Sequence, residues 1–291
     1  MINRTFLAAL GAAFLLSSCS GPKPIVVGSK DSLEQQLLGE IIAQHLEHKL
    51  TTKIERRLGG GDTRSVHQTM LDGQISLYPE YSGLIVSEIL RDTPSPDPGV
   101  TFERARQELK RVELVEMLAP LGFNAVTALA VRAEGNEGVS SISQAAASAT
   151  RWKLGVSYEF QNRPNGLPSL TGYRLEFGAP LRSMKDEELF QAMDDKDKPV
   201  DMVTATLSDG NLTLPKWKAL EDNLSAFPPA EAAILVRDDV LAAEANLRGA
   251  LLMLSGKINL ETMRKLNVQV AIEKRPLAEV AAEFLKSAGV S

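Results

Sequence analysis

Apolar positions in this chain follow two alternating spacings, one typical of strands and one typical of helices. The run Ile25–Gly28 is apolar up to its glycine, which predicts a buried strand. From Leu33 to Leu46 the apolar residues recur every three or four positions, and Ser32 with Gln35 forms a capping box in front of them. The chain therefore opens with a predicted strand, loop and helix.

The same alternation continues to the end of the chain. Further predicted strands cover residues 53–58, 75–78, 123–131, 152–157, 174–177, 200–206 and 232–236. Further predicted helices cover residues 63–72, 102–118, 185–193, 238–255, 259–270 and 277–288. Strands that alternate with helices form mostly parallel sheets covered by helices, so the predicted fold class is α/β.

The composition limits the classes of function. The chain has 291 residues, of which 44% are hydrophobic and 24% charged, and its formal net charge is −5. Such a chain is globular and holds one large or two medium domains. Because it carries neither a basic excess nor a long run of Lys or Arg, we expect no nucleic-acid partner.

The first nineteen residues differ in character from the rest. Arg4 precedes an apolar stretch over residues 6–16, which ends in Leu16-Ser17-Ser18-Cys19. This stretch is shorter than the roughly 20 residues of a membrane span and is typical of a secretory signal. The tetrapeptide resembles the bacterial lipobox, and Cys19 is the only cysteine in the chain. We predict a signal peptide over residues 1–19, a lipid anchor on Cys19, a tether over residues 20–24 and an extracytoplasmic, membrane-anchored location.

Signatures of catalysis and of metal binding are incomplete. The single cysteine lies in the leader, which leaves no thiol nucleophile and no thiolate ligand for the folded part. The glycine run 59–61 lacks the Lys and Ser/Thr of a phosphate loop. His45, His48 and His67 have no suitably spaced cysteines or carboxylates, so solvated helix positions are favoured over zinc ligands. We expect no enzyme activity, no cofactor and no metal.

A series of short motifs spans about 250 residues in a fixed order. They are Val27-Gly28-Ser29-Lys30, Glu34-Gln35, Gly39-Glu40, Leu77-Tyr78-Pro79-Glu80-Tyr81-Ser82-Gly83, Leu121-Gly122-Phe123-Asn124, Arg163-Pro164-Asn165-Gly166-Leu167-Pro168, Ser208-Asp209-Gly210, Phe227-Pro228-Pro229 and Leu254-Ser255-Gly256-Lys257-Ile258. Their order and spacing resemble the glycine betaine, carnitine and choline binding proteins of ABC-type osmoprotectant importers.

This resemblance implies a two-lobed, Venus-flytrap fold of the type II periplasmic binding class. Lobe 1 would combine residues 24–126 with residues 230–288, and lobe 2 would be residues 127–229. The predicted strands 123–131 and 232–236 would cross between the lobes, which would close on the ligand by a hinge motion. The implied partners are a small zwitterionic solute, an ABC permease and its ATPase subunit.

The resemblance also implies where the solute's carboxylate binds. Lys30, in the loop before the first helix, and Arg163 match family positions that contact this carboxylate. Cationic groups and N–H donors at helix starts suit such an anion. Gln35, in the matched pair Glu34-Gln35, is expected at the same site.

The family binds the solute's quaternary ammonium group with aromatic rings, each contributing roughly 0.5–2 kcal/mol. Tyr81 matches one ring of this cage, but the other three positions hold Thr127, Thr206 and Ala230. Threonine hydroxyls can bind an ammonium or amide group, and Asp209 can pair with a cation. The predicted solute is therefore a quaternary amine or an amino-acid-like relative. The alternative function is a sensor or scaffold that keeps the fold without transport.

Overall fold

The computed structural model describes residues 23–290. The predicted signal peptide, Cys19 and residues 20–22 of the predicted tether lie outside this range. Within it, none of the helices combines the length and the hydrophobicity that a membrane crossing requires.

Ten strands in this part of the chain form two five-stranded sheets. The strands are β1 (Ile25–Gly28), β2 (Ile54–Arg57), β3 (Leu77–Tyr81), β4 (Val115–Met117), β5 (Thr127–Arg132), β6 (Leu154–Ser157), β7 (Arg182–Met184), β8 (Met202–Thr206), β9 (Trp217–Leu220) and β10 (Ala232–Arg237). Their order is β2-β1-β3-β10-β4 in the first sheet and β7-β6-β8-β5-β9 in the second. Both sheets are mixed, because β10 and β5 run antiparallel to their neighbours.

Helices cover both faces of each sheet, as the alternating pattern predicts. The α-helices are α1 (Leu33–Lys49), α2 (Thr63–Leu71), α3 (Ser82–Leu84), α4 (Pro98–Glu113), α5 (Ile142–Ala147), α6 (Tyr158–Asn162), α7 (Leu189–Met193), α8 (Asp238–Ala243), α9 (Leu247–Leu252), α10 (Leu260–Asn267) and α11 (Leu277–Ser287). Segments Leu167–Tyr173, Asp186–Glu188 and Gly210–Thr213 are 3-10 helices, and Ile85–Ile89 and Val268–Ile272 are π-helices.

Two apolar cores lie on opposite faces of the first sheet, and two more lie on opposite faces of the second. Helix α1 is capped by Ser32, whose hydroxyl accepts a hydrogen bond from the Gln35 N–H. The predicted capping box is only half formed, because the Gln35 side chain has no hydrogen-bond partner among the described residues. The helix is buried along most of its length because it packs against both the first sheet and α11. This packing fixes the loop before α1 at the carboxyl end of β1.

Several elements differ from the prediction, among them the helix 238–255, which is divided into α8 and α9. The predicted helix 102–118 begins earlier, at Pro98, and ends at Glu113, because Leu114 adopts a left-handed conformation with φ 54° and β4 follows. The predicted strand 174–177 is wrong, since only Phe177 makes an isolated bridge, to Trp152. Strand β9 was not predicted, because the alternation around Trp217 is typical of an amphipathic segment as well.

The chain passes between the two sheets through segments 118–126 and 221–231. These segments pair with each other: the Ala125 N–H donates to the Ala230 carbonyl at 2.9 Å, and Asn124 bridges Glu231. The predicted crossing 123–131 therefore matches a crossing segment only over residues 123–126, and the predicted crossing 232–236 instead lies within the first sheet as β10. Each sheet with its helices is one lobe, lobe 1 containing β1 and lobe 2 containing β5. The exact predicted limits of the lobes stay a prediction.

Candidate ligand-binding site

A cleft between the lobes holds a cavity of about 420 Å³, here called the hinge cavity because both crossing segments line it. The sequence-predicted site residues that line it are Lys30, Tyr81, Thr127, Arg163, Thr206 and Asp209. Gln35 does not line it. Its side chain is fully buried in α1 beside Tyr81, so it can act on a solute only through that ring.

Lys30 is held by a buried ion pair within lobe 1. Its ammonium lies 2.7 Å from Glu80 Oε1 and 3.1 Å from Thr63 Oγ1. The side chains of Lys30 and Glu80 are 5% and 0% exposed. Burial alone would lower the pKa of Lys30, but the Glu80 carboxylate outweighs it and the pKa lies above its ordinary value. Lys30 reaches the cleft with its charge largely neutralised by this partner.

Tyr81 lines the hinge cavity, and its hydroxyl group is part of a chain of polar contacts. Its hydroxyl donates to the Glu34 carboxylate, and the Asn267 amide donates to the same carboxylate at 2.6 Å. Burial keeps the pKa of Tyr81 well above its ordinary value. The Lys30 ammonium lies 4.7 Å from the centre of the Tyr81 ring. Asn267 also donates to the Ser208 carbonyl of lobe 2 at 2.9 Å, so this chain links the two lobes.

A second contact reinforces this edge of the cleft. Arg264 Nε, in α10 of lobe 1, donates to the Leu207 carbonyl of lobe 2 at 2.6 Å. Gly210 lies so close to the start of the π-helix that a Cβ there would stand 2.7 Å from Val268 N. The lobes are therefore in direct contact along one side. We call this side, formed by residues 207–210 and 264–268, the linked edge.

Arg163 faces the hinge cavity from lobe 2 at the end of α6. Its Nη2 donates to Thr127 Oγ1 at 2.5 Å, and its Cζ lies 5.4 Å from the Phe160 ring centre. Its Nη1 is 3.7 Å from Glu159 Oε1, beyond hydrogen-bond range. Among the described residues its buried Nε has no hydrogen-bond partner. Arg163 thus keeps unused donor capacity at the cleft.

The three positions that depart from the family's aromatic cage lie around the same cavity. Thr127 and Thr206 face each other across the β5–β8 pairing, and Ala230 belongs to the second crossing segment. Thr206 Oγ1 lies 3.0 Å from Ser208 Oγ. Together with Tyr81 they supply hydroxyl groups and one ring to a cavity that Phe160, Phe190 and Trp217 also line.

The Asp209 carboxylate serves mainly to begin the following 3-10 helix. Its Oδ1 accepts hydrogen bonds from Asn211 N at 2.8 Å and from Asn211 Nδ2 at 3.0 Å. Burial raises the pKa of Asp209 to about 6. The predicted turn role and the predicted place at the cleft thus both hold for this residue.

Several residues at the site were not among those predicted. Glu34 lies in the motif Glu34-Gln35, but that motif does not show that the Glu34 carboxylate accepts a hydrogen bond from the Tyr81 hydroxyl. Glu159 stands four residues before Arg163, a spacing that places both on one helix face. Asn267 carries no signal in the sequence, because its role depends on how α10 packs against lobe 2.

The histidines do not form a metal site in the described part of the chain. His45 is buried, within 2.8 Å of two backbone carbonyl oxygens, and His67 is buried between Tyr78 and Glu113. The prediction of solvated positions is therefore wrong for these two and holds for the exposed His48. Within residues 23–290, no cluster of three or more His, Cys, Asp or Glu side chains is placed to hold a metal ion.

Substituting alanine at Gly166 should displace the turn that carries Arg163. A Cβ at Gly166 would lie 1.7 Å from the Phe160 carbonyl oxygen. We expect Gly166→Ala to lower the unfolding free energy by about 1–3 kcal/mol, as overpacking does, and to weaken solute binding. Gly172→Ala is the matched control, since a Cβ there meets no described atom within 4 Å. Urea unfolding of both variants checks this, and equal stability would contradict it.

Comparison with known proteins supports the interpretation of the cleft. Residues 23–287 match the family described as the substrate binding domain of ABC-type glycine betaine transport system. The chain is 30% identical over 273 residues to the ergothioneine transport permease/ergothioneine binding protein EgtU of Helicobacter pylori (strain G27). That match covers 92% of this chain and 48% of the relative, so this chain spans about half of its length.

Two further proteins match over nearly their whole length. The carnitine transport binding protein OpuCC of Listeria monocytogenes is 25% identical over 289 residues, covering 95% of this chain and 93% of OpuCC. The crystal structure of a glycine betaine/carnitine/choline ABC transporter protein has a TM-score of 0.78 at 22% identity, covering 91% of this chain and 99% of that chain. The two-lobed, type II α/β fold is thereby confirmed.

This family consists of extracytoplasmic transport binding proteins rather than a class of enzymes, and its members work with a permease and a small-molecule ligand. The match covers nearly all of the described residues. The chain belongs to the family of substrate-binding domains of ABC-type glycine betaine transport systems.

Proposed function

We propose that this protein captures a small zwitterionic solute in the hinge cavity and delivers it to the permease of an ABC importer, with Arg163 binding the solute's carboxylate. The partners that the two predicted cationic residues already have support this assignment. Lys30 is already paired with Glu80, whereas Arg163 Nε has no partner among the described residues and Arg163 Nη1 lies 3.7 Å from Glu159. Glycine betaine, carnitine and ergothioneine, three of the solutes named for the family or its members, carry a carboxylate that an arginine fork can bind, whereas choline carries none.

The cation of the solute would lie against Tyr81, between Thr127, Thr206 and Ala230. Hydroxyl oxygens and the Glu34 carboxylate at this end favour a positively charged group that also donates hydrogen bonds. Lys30 and Asp209 would act at the rim of the same space. Among these four positions, only Tyr81 offers a ring to a quaternary amine. The Lys30 ammonium already lies near the face of that ring.

We further propose that the protein is held at the membrane by lipidated Cys19 and that an ATPase subunit completes the importer. The leader pattern supports the anchor. Mass spectrometry of the N-terminal peptide from membrane fractions tests it, with Cys19→Ala as control. An unmodified peptide in the unsubstituted protein would contradict the anchor without touching the solute site.

A thermal-unfolding screen tests the transport-receptor role against the sensor or scaffold alternative. A solute that binds only the folded state raises its stability by about 2.7 kcal/mol at a hundredfold excess over Kd. Glycine betaine, carnitine, ergothioneine and proteinogenic amino acids form the panel. Saturable stabilisation by a member supports a receptor, and no shift with any of them would favour the alternative.

Arg163→Ala should weaken the binding of a carboxylate-bearing solute by about 1.5–3 kcal/mol, the scale of a hydrogen bond to a charged group. This corresponds to about 10- to 150-fold in Kd. Arg151→Ala is the control, because Arg151 lies in lobe 2 with its side chain 74% exposed. Isothermal titration calorimetry measures both variants. An unchanged Kd in a folded Arg163→Ala protein would remove the assigned role.

A further inference from the structure

A second cavity of about 790 Å³ lies next to the hinge cavity in the interlobe cleft. Ser157, Glu159 and Arg163 line both cavities, so the two spaces are adjacent at these residues. Acidic side chains along the second cavity outnumber the basic ones, which are Arg64, Arg163 and Lys185. A solute whose carboxylate binds Arg163 can therefore extend into an acidic space.

Glu88, from the π-helix Ile85–Ile89 of lobe 1, is the most deeply buried carboxylate on this wall. Its side chain is 6% exposed, and it lines the second cavity. Within the described part of the chain, its Oε1 has no hydrogen-bond partner. The nearest cation, Arg64, lies 3.6 Å from the other oxygen, too far for a hydrogen bond. A buried carboxylate oxygen left without a donor is unfavourable by more than a kcal/mol in a protein interior.

Glu159, from α6 of lobe 2, lines the same cavity. Its Oε1 is buried and likewise has no hydrogen-bond partner among the described residues. Its neighbour Arg163 stands at 3.7 Å. Burial raises the pKa of Glu88, and the nearby charge of Glu159 raises it further. Each lobe thus contributes to the lining of this cavity a glutamate with one buried oxygen that has no partner among the described residues.

From these contacts we infer that Glu88 and Glu159 form a second subsite, which binds a positively charged, N–H-bearing end group of the solute. This inference rests on the proposed function, because it assumes that the solute's carboxylate is held by Arg163. A primary ammonium or a guanidinium would give each carboxylate the donor it lacks. A trimethylated nitrogen carries the charge but no donor, and it would leave both oxygens unsatisfied. The subsite would thus select for N–H donors as well as for charge.

Three amino acids that share one head group test the subsite in the unsubstituted protein. L-Lysine ends in a primary ammonium, Nε,Nε,Nε-trimethyl-L-lysine ends in a quaternary one, and L-norleucine ends in a methyl group. We expect lysine to bind about tenfold or more tightly than either of the others by calorimetry. Equal Kd values for lysine and trimethyl-lysine, or no binding of lysine at millimolar concentration, would overturn the inference.

Substitutions of Glu88 and Glu159 then test whether these two carboxylates cause the preference for lysine. Glu88→Gln and Glu159→Gln should each weaken lysine binding about tenfold more than they weaken norleucine binding. Glu176→Gln, whose side chain is 73% exposed in lobe 2, should change neither. A loss that is equal for lysine and norleucine would mean a disturbed fold or a displaced Arg163 and would overturn the assignment. If glycine betaine binds in an Arg163-dependent manner but lysine binds no more tightly than trimethyl-lysine and norleucine, this inference fails and the proposed function stands.

Discussion

Thr127→Tyr, Thr206→Tyr and Ala230→Tyr, introduced together, should tighten the binding of glycine betaine by about 10²- to 10⁴-fold. Three added rings at about 1–2 kcal/mol each give 3–6 kcal/mol of cation–π attraction. The structure provides the required arrangement, because these positions and Tyr81 line one cavity and Thr127 faces Thr206 across a strand pair. The gain should be largest for solutes whose nitrogen carries no N–H.

The matched control places leucine at the same three positions. Leucine adds apolar bulk without a ring quadrupole, so the leucine variant separates attraction to the cation from simple filling of the cavity. Calorimetry with glycine betaine measures both proteins, after urea unfolding has shown that both are folded. A similar Kd in the tyrosine and leucine variants would mean that these positions do not surround the cation.

Lys30→Met should destabilise the protein by about 3–5 kcal/mol, because it leaves the Glu80 carboxylate buried without its cation. Glu80 is fully buried, and its Oε1 accepts from both the Lys30 ammonium and the Tyr81 N–H. The pKa of Lys30 is raised on folding, so its contribution is full below the unfolded pKa of about 10.4 and is lost as pH rises through the folded value. The difference in unfolding free energy between the unsubstituted protein and Lys30→Met should therefore become smaller only at strongly alkaline pH.

Two further variants test whether the loss of stability in Lys30→Met comes from the charge that it leaves buried on Glu80. Glu80→Gln combined with Lys30→Met should restore much of the lost stability, since no charge is then left buried. Lys53→Met removes an ion pair with the same 2.7 Å distance, but its side chains are 75% and 42% exposed. That substitution should change stability by about 0–1 kcal/mol. If Lys30→Met is no more harmful than Lys53→Met in urea unfolding, the buried pair does not stabilise lobe 1 as argued.

Periodicity predicted most of the elements, because buried strands and core-facing helices leave clear spacings. It failed where the spacing of a short apolar segment fits both a helix and a strand. Val115 and Met117 continue the spacing of α4, yet they form β4, because the left-handed Leu114 ends the helix. Trp217 belongs to an edge strand whose pairing with β5 depends on distant residues.

The site shows the same division between local and long-range information. Motifs placed Lys30, Tyr81 and Arg163 at the cleft, and the structure brings them to one cavity. The partner that neutralises Lys30 is Glu80, fifty positions away along the chain. The two meet because β1 and β3 are neighbours in the sheet. Residue identity alone therefore could not distinguish a paired lysine from one that is available to a carboxylate.

The linked edge determines how a solute can enter and leave. Asn267 and Arg264 hold the carbonyls of Ser208 and Leu207, and Gly210 brings backbone against backbone with no side chain between. A rotation that kept these bonds would turn about this edge, so the lobes would separate least there and more with increasing distance from it. A solute would then enter and leave on the sides of the cleft away from residues 207–210 and 264–268.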